Sequence, residues 1–450
     1  MRSFCLSELV PPLAGSQLGA DASFSGVTTD SRAVSEGQLF VALKGERFDG
    51  HRFVASAGSA GASAALVSEA VDADLPLLQV ADTQVALGQL AALNRSGFTG
   101  TLVGITGSCG KTSVRNLLES IFSRVAPTLA TYGNLNNEIG MPLTLLELNP
   151  EHRYAVVEMG AGKPGDIAYL CQLAQPGISL LLNALPAHLE TMGTVEDIAH
   201  TKGEILSGLG GRGTAIFPVD SEYTGLWREL AGTADCRTFG FSDAADVYAT
   251  HIEVGGEGSL FTLHADGDSE VISLSLPGRH NVANALAAAA GALAAGVSLS
   301  QVAGGLAAAT PVGGRLRQHQ LPGGVTLIDD AYNANPASVR AAIDVLETIT
   351  GRRILVLGAM AELGALSEAM HAEVGRYAAG HGIDALWATG DFCDAAVAAF
   401  GEGGRLFENR EELTAALKSL LAADDVVLVK GSRSAGMDAV VRALIEMGET

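Results

Sequence analysis

Gly104-Ile105-Thr106-Gly107-Ser108-Cys109-Gly110-Lys111-Thr112-Ser113 stands between an apolar, β-like run at 102–105 and an amphipathic helical pattern at 112–124. Phosphate-binding loops occupy that position. Glycines let successive backbone N–H groups turn inward around phosphate oxygens, and the start of the following helix adds partial positive charge. Lys111 neutralises the outer phosphates and the Thr112 hydroxyl reaches toward Mg2+. Ile105 stands where the longer pattern needs glycine, so the match is to the shorter form, Gly-x-x-Gly-Lys-Thr. An ordinary glycine-rich turn is the alternative, and the strand before and helix after it favour the phosphate loop. Gly107, Ser108, Cys109, Gly110, Lys111, Thr112 and Ser113 are therefore expected to hold a nucleotide such as ATP.

Beyond this loop, the spacing predicts strands at 154–158, 179–183 and 214–217 and helices at 83–95 and 195–209. This alternation implies an α/β fold with a doubly wound, mostly parallel central sheet of P-loop type. Residues 247–276 interrupt it with β-like alternation and glycine-rich turns. Upstream, residues 1–82 mix short β-like runs with turn clusters and read as a small N-terminal α/β domain. Downstream of 313, strands at 325–328, 353–357, 385–388 and 426–429 each precede a helical pattern, predicting a C-terminal dinucleotide-fold-like sheet. Three domains are expected, at 1–82, 83–312 and 313–450. That number suits 450 residues at about 100–200 per domain.

Lys and Arg total 28 against 50 Asp and Glu, a net charge of −22, which disfavours a nucleic-acid or anionic-lipid partner. Bound anions must be held by a few local cations. The uncharged stretch 281–314 is long enough to raise a membrane question, but Gly296, Gly304, Gly305 and Pro311 break it, so two buried helices and no membrane span are expected. The five scattered cysteines lack CxxC spacing, and residues 1–12 lack a basic segment followed by an apolar run. Neither a disulfide framework nor a secretory signal is indicated, and a cytoplasmic location is expected.

Ligands in open parallel sheets sit beyond the carboxyl ends of the strands. The ends bearing Lys111, Glu158 and His188 are therefore expected to converge, and a carboxylate and an imidazole beside phosphates suggest ligands for a divalent metal. Lys202 reads from composition as a surface lysine. Asn281 and Asn284 open an alanine-rich helix, where their amides can read an adenine edge or Asn281 can cap the helix; the two readings stand level. Asp329-Asp330-Ala331-Tyr332-Asn333-Ala334-Asn335-Pro336 gathers polar groups at a strand's carboxyl end and reads as a site, with Asn335 and Pro336 starting a helix.

Thr106-Gly107-x-x-Gly110-Lys111-Thr112, Glu158, Ala187-His188-Leu189-Glu190, Lys202, His280-Asn281-x-x-Asn284 and Gly314-Arg315, in that order, resemble the Mur ligases. These are ATP-dependent amide-forming ligases that build the peptidoglycan stem peptide. Asn136-Asn137-Glu138-Ile139-Gly140-Met141-Pro142, Tyr332-Asn333-Ala334-Asn335-Pro336 and Ala42-Leu43-Lys44-Gly45-Glu46-Arg47-Phe48-Asp49-Gly50-His51 are similar to the family member that acts last. That member joins D-alanyl-D-alanine to UDP-N-acetylmuramoyl-tripeptide. The resemblance covers nearly the whole chain.

It implies that the phosphate loop binds ATP, that Thr112, Glu158, His188 and Lys202 bind Mg2+, and that Lys202 is carbamylated. It further implies that Asn281 and Asn284 contact adenine, Arg315 the γ-phosphate, and Asp330 and Tyr332 the nucleoside side. Thr29, Asp30, Ser31 and Arg32 would meet uridine diphosphate, with Asn137, Asn333 and Asn335 on the substrates. Lys111, His188, Lys202 and Arg315 form the implied catalytic set, in a monomer. A sibling that adds diaminopimelate or lysine would carry an Asp-Asn-Pro-Arg motif, which this chain lacks. Folylpolyglutamate synthetase would lack the N-terminal domain, and a nucleotide switch would form no amide. Met192 stands where an aromatic is common, and Cys109, beside Lys111, is expected to have a lowered thiol pKa and to block ATP when alkylated.

Overall fold

A computed structural model describes residues 1–46, 48–187 and 189–448. Arg47 of the 42–51 motif and His188 lie outside the described residues.

The N-terminal part holds a five-stranded sheet ordered Ser16–Leu18, Leu77–Gln79, Ala64–Val67, Gln38–Val41, Gly26–Thr28. Its first pair is antiparallel and the rest parallel. Alternation along Gln38–Val41 sends Phe40 to a small outer core beneath the helix Val54–Ser59. Leu39 and Val41 point the other way, into a core shared with Leu87 and Leu90 of the helix Thr83–Ser96. That helix carries the N-terminal sheet onto the flank of the middle one.

The middle sheet has nine strands, ordered Asp268–Leu274, Ser259–Ala265, Val247–Val254, Asp235–Gly240, Thr214–Pro218, Ile178–Leu181, Thr101–Thr106, Tyr154–Glu158, Thr128–Ala130. The last seven of these pair in parallel. Residues 247–274 do not interrupt the sheet but prolong it: Phe239 pairs with Val247, and two antiparallel strands then close the edge. Helices Lys111–Ser123, Arg279–Ala294 and Leu299–Ala307 cover one face. Thr83–Ser96, Asp166–Ala174 and Val195–Ser207 cover the other.

The uncharged 281–314 stretch forms the two expected buried helices, and no helix among the described residues is long and apolar enough to cross a membrane. Close packing explains its small residues. A Cβ at Gly305 would lie 2.5 Å from the Ile121 Cα.

The C-terminal sheet runs Arg317–Gln320, Thr326–Asp330, Asp425–Lys430, Arg352–Gly358, Ala385–Thr389, Gly404–Phe407. It is parallel apart from its first pair. The carboxyl ends of its Asp330 and Lys430 strands open onto the same cleft as the phosphate loop.

Candidate active site

The strand Thr101–Thr106 lies between Tyr154–Glu158 and Ile178–Leu181, so three parallel strands deliver their carboxyl ends to one place. The loop leaving the first strand turns back through Gly110, at φ +88°, where a Cβ would sit 2.5 Å from the Asn284 Oδ1. Gly110 then caps the helix Lys111–Ser123. The Lys111 ammonium donates to the Gly107 carbonyl at 2.7 Å, and burial, opposed by the nearby Glu158 charge, draws its pKa down.

Asn183 clasps this loop. Its Oδ1 accepts from the Cys109 N–H at 3.0 Å, its Nδ2 donates to the Cys109 carbonyl at 3.2 Å, and its own carbonyl accepts from Ser108 N–H. Asn183 belongs to no motif in the sequence. An amide at the end of the neighbouring strand is the only signal that points to it.

Glu158, 1% exposed, receives a hydrogen bond from the Thr112 hydroxyl at 3.3 Å on Oε2 and leaves Oε1 without a hydrogen-bond partner. Its backbone N–H donates to the Thr131 hydroxyl at 2.9 Å. His188 lies outside the described residues, so of the expected lysine, glutamate and histidine the structure brings together Lys111 and Glu158.

Lys202 corrects its sequence reading: the side chain is buried, not on the surface. It sits on the inner face of Val195–Ser207, with no hydrogen bond to any described residue, and burial followed by the Lys111 charge lowers its ammonium to about 7. Two residues on, the Glu204 carboxylate accepts from Gly165 and Ala168 N–H at 2.8 and 2.9 Å. That pair ties the Lys202 helix to the segment after Glu158.

The amides of Asn281 and Asn284 bond internally. Gly278, not Asn281, occupies the cap position; the Asn281 Nδ2 donates to the Pro277 carbonyl at 2.7 Å and its Oδ1 accepts from Asn284 at 3.1 Å.

The C-terminal sheet supplies the opposite wall. Arg315 donates to the Thr112 hydroxyl at 2.9 Å and lies 4.5 Å over the Tyr332 ring, with Arg433 at 5.7 Å from the same ring. Asn335 caps the helix Pro336–Glu347 as expected and donates through Nδ2 to the Cys109 Sγ at 3.0 Å. Asn333 accepts from Arg433 N–H, and its carbonyl accepts from Lys430 at 3.1 Å. Lys430 also forms a buried ion pair with Asp330, whose other oxygen accepts from Leu316 N–H. Burial raises the Asp330 carboxyl against the opposing pull of Lys430.

One cleft of about 790 Å3 lies between these walls. Ser108 to Ser113, Asn137, Glu158, Asn281, Asn284, Arg315, Asp330, Tyr332, Asn333 and Asn335 all line it. Asn137 faces it while capping Ile139 and Gly140. Thr29, Asp30, Ser31 and Arg32 do not line this cleft. They follow the strand Gly26–Thr28, where the exposed Arg32 guanidinium holds the Asp30 carboxyl down at about 2. Met192 is buried.

Among the described residues no cluster of three or more His, Cys, Asp or Glu side chains is arranged for a metal. The buried Glu158 carboxylate, with Oε2 beside the Thr112 hydroxyl and Oε1 free of hydrogen bonds and only 3.5 Å from the Arg115 Nε, nonetheless fits a divalent cation whose remaining ligands come from nucleotide phosphates.

Comparison with known proteins agrees with this architecture. Three family models match in sequence: the Mur ligase family catalytic domain over residues 23–95, the Mur ligase middle domain over 105–292 and the Mur ligase glutamate ligase domain over 314–433. The UDP-N-acetylmuramoyl-tripeptide--D-alanyl-D-alanine ligase of Escherichia coli is 46% identical, covering 100% of both chains. A crystal structure of MurF from Acinetobacter baumannii superposes with a TM-score of 0.93 at 38% identity over 99% of each chain. MurF from Thermotoga maritima in complex with ADP gives 0.84 at 30% identity, covering 94% of this chain and 98% of that one. On that continuous likeness, and on a phosphate loop facing a second nucleotide-type sheet, the chain belongs to the Mur ligase family.

Proposed function

We propose that this chain is an ATP-dependent ligase that joins D-alanyl-D-alanine to UDP-N-acetylmuramoyl-tripeptide in peptidoglycan precursor synthesis, releasing ADP and phosphate. The supporting observation is the single cleft in which Arg315, from the C-terminal side, bonds Thr112 of the phosphate helix. The division of labour is 1–82 for the UDP-sugar end with Thr29 to Arg32, 83–312 for ATP, and 313–450 closing over both. A monomer in the cytoplasm is part of the same proposal.

A carboxylate is a poor acyl donor. In the proposed reaction an oxygen of the tripeptide's terminal carboxylate attacks the γ-phosphorus, the bond to the β-phosphate oxygen breaks, and ADP leaves an acyl phosphate. The D-alanyl-D-alanine amine then attacks the acyl carbon, phosphate departs, and the nitrogen gives up a proton. Negative charge builds at the phosphoryl oxygens, where Lys111 from one wall and Arg315 from the other would offset it. Gly107 and the loop N–H groups cradle the phosphates, while Asn183 keeps the loop in shape.

Mg2+ held by Thr112, Glu158, His188 and Lys202 would supply further charge neutralisation. Lys202 suits uptake of CO2 as a carbamate because burial lowers its ammonium to about 7 and favours the nucleophilic neutral amine. Asn281 and Asn284 are assigned to adenine, their amides organised by each other. Asp330 offers ribose only the lone pairs that Lys430 and Leu316 leave open. Asn137, Asn333 and Asn335, which line the cleft, are assigned to the acyl donor and the incoming amine, and closed walls would exclude water that hydrolyses the acyl phosphate.

Incubation with ATP, Mg2+, UDP-N-acetylmuramoyl-tripeptide and D-alanyl-D-alanine, followed by mass spectrometry, is expected to yield the pentapeptide product and ADP in equal amounts. ATP turnover without amide formation would overturn the proposal. Running lysine- and diaminopimelate-containing tripeptides in parallel identifies the third stem residue.

A further inference from the structure

Two buried polar atoms face each other between the helix Lys111–Ser123 and the end of the strand Tyr154–Glu158 without a hydrogen bond. One is the Glu158 Oε1; the other is the Arg115 Nε, 3.5 Å away. Buried polar groups almost always find partners, so a facing pair of orphans requires a cause. The cause is visible one turn along the helix. The Arg115 Nη1 donates to the Glu119 carboxylate at 2.7 Å, an i,i+4 pair that holds the guanidinium along the helix axis. Arg115 therefore offsets the charge of a nearly inaccessible carboxylate while leaving that oxygen's lone pairs free. It does not line the cleft; it reaches Glu158 from the second turn of the helix Lys111–Ser123.

We propose that Arg115 is a positioning residue that stands in for the divalent cation. Before the cation arrives it supplies the positive charge that makes burial of Glu158 tolerable, and because Glu119 withholds it from a direct hydrogen bond, the cation binds Glu158 without displacing a partner. The same proximity has a cost, since guanidinium and cation repel each other. Arg115 thus trades affinity for the cation against stability without it. This rests on Glu158 being a cation ligand, as proposed above.

Thermal unfolding of the full chain with saturating ADP, titrated with MgCl2, tests both ideas separately. Arg115→Gln is expected to lower the Tm without Mg2+ and nucleotide, and to reduce the Mg2+ concentration at half-maximal ADP-dependent shift by about fivefold, the repulsion being weakened by its partly solvated surroundings. Arg115→Lys should return both values toward those of the unmodified protein. Glu119→Gln should act oppositely, releasing Arg115 onto Glu158 and raising the Mg2+ midpoint; this variant carries the test if Arg115→Gln does not fold. Midpoints unchanged in Arg115→Gln and Glu119→Gln, with Mg2+ dependence intact in the unmodified chain, would overturn the role of Arg115 alone. Absence of any Mg2+ dependence in the unmodified chain would overturn the cation site and this proposal with it.

Discussion

Burial decides what the basic side chains around the cleft can be. His280 opens the helix Arg279–Ala294, half-buried near Val345, and burial, aided by the Lys430 charge and opposed by Asp344, lowers its imidazole to about 4. An unfolded histidine titrates near 6.5. Between those values the unfolded chain binds a proton that the folded chain refuses, so this group costs stability as pH falls from about 6.5 to about 4. His280→Gln is expected to lose less Tm than the unmodified protein across that window, as scanning calorimetry at stepped pH would register. Parallel Tm profiles would mean that His280 titrates alike folded and unfolded. Lys202 obeys the same physics, but nothing in Thr201-Lys202-Gly203-Glu204 announces it, because one lysine on an amphipathic helix reads identically whether it faces water or the sheet.

At the scale of elements, the strands and helices around the phosphate loop are legible because each carries its own local signal. The apolar run ending at Thr106, the glycine at a left-handed position and the amphipathic start of the next helix are short-range features. The clasp by Asn183 is not, since it joins residues 74 apart in sequence through a register set by two paired strands. Asn183→Ala removes both side-chain hydrogen bonds to Cys109, at about 1 kcal/mol each. The expected result is an ATP KM raised by about tenfold to thirtyfold with a smaller fall in kcat. Steady-state kinetics with ATP varied would show it, and an unchanged KM would mean that the loop holds its shape unaided.

Across the whole molecule, side-chain contacts join the middle and C-terminal parts, at the cleft Arg315 to Thr112 and Asn335 to the Cys109 thiol, and away from it Gln318 to the Gly256 carbonyl. Cys109 is partly exposed, whereas burial pushes the Cys171 and Cys393 thiols up to about 12 and leaves them unreactive at neutral pH. In a Cys5→Ser, Cys236→Ser background, iodoacetamide is therefore expected to modify Cys109, remove the acceptor of Asn335 and hold the walls apart. The expected readouts are a larger radius of gyration by small-angle X-ray scattering and loss of ligase activity. Full activity after stoichiometric labelling would show that neither the thiol contact nor the space it fills matters to closure.

The chain's own order of residues determined the alternating α/β plan, the phosphate loop, the helix start at Asn335 and the family likeness, all of which rest on near neighbours and on motifs kept in sequence. It also placed residues 247–276 in β structure, but only the pairing of Phe239 with Val247 made them part of the central sheet. Tertiary structure alone buried Lys202, brought Asn335 to the Cys109 thiol and set Arg115 against Glu158. The physical reason is common to all three. Burial and partner choice are properties of what packs against a side chain, and those neighbours come from strands and helices far away along the polypeptide.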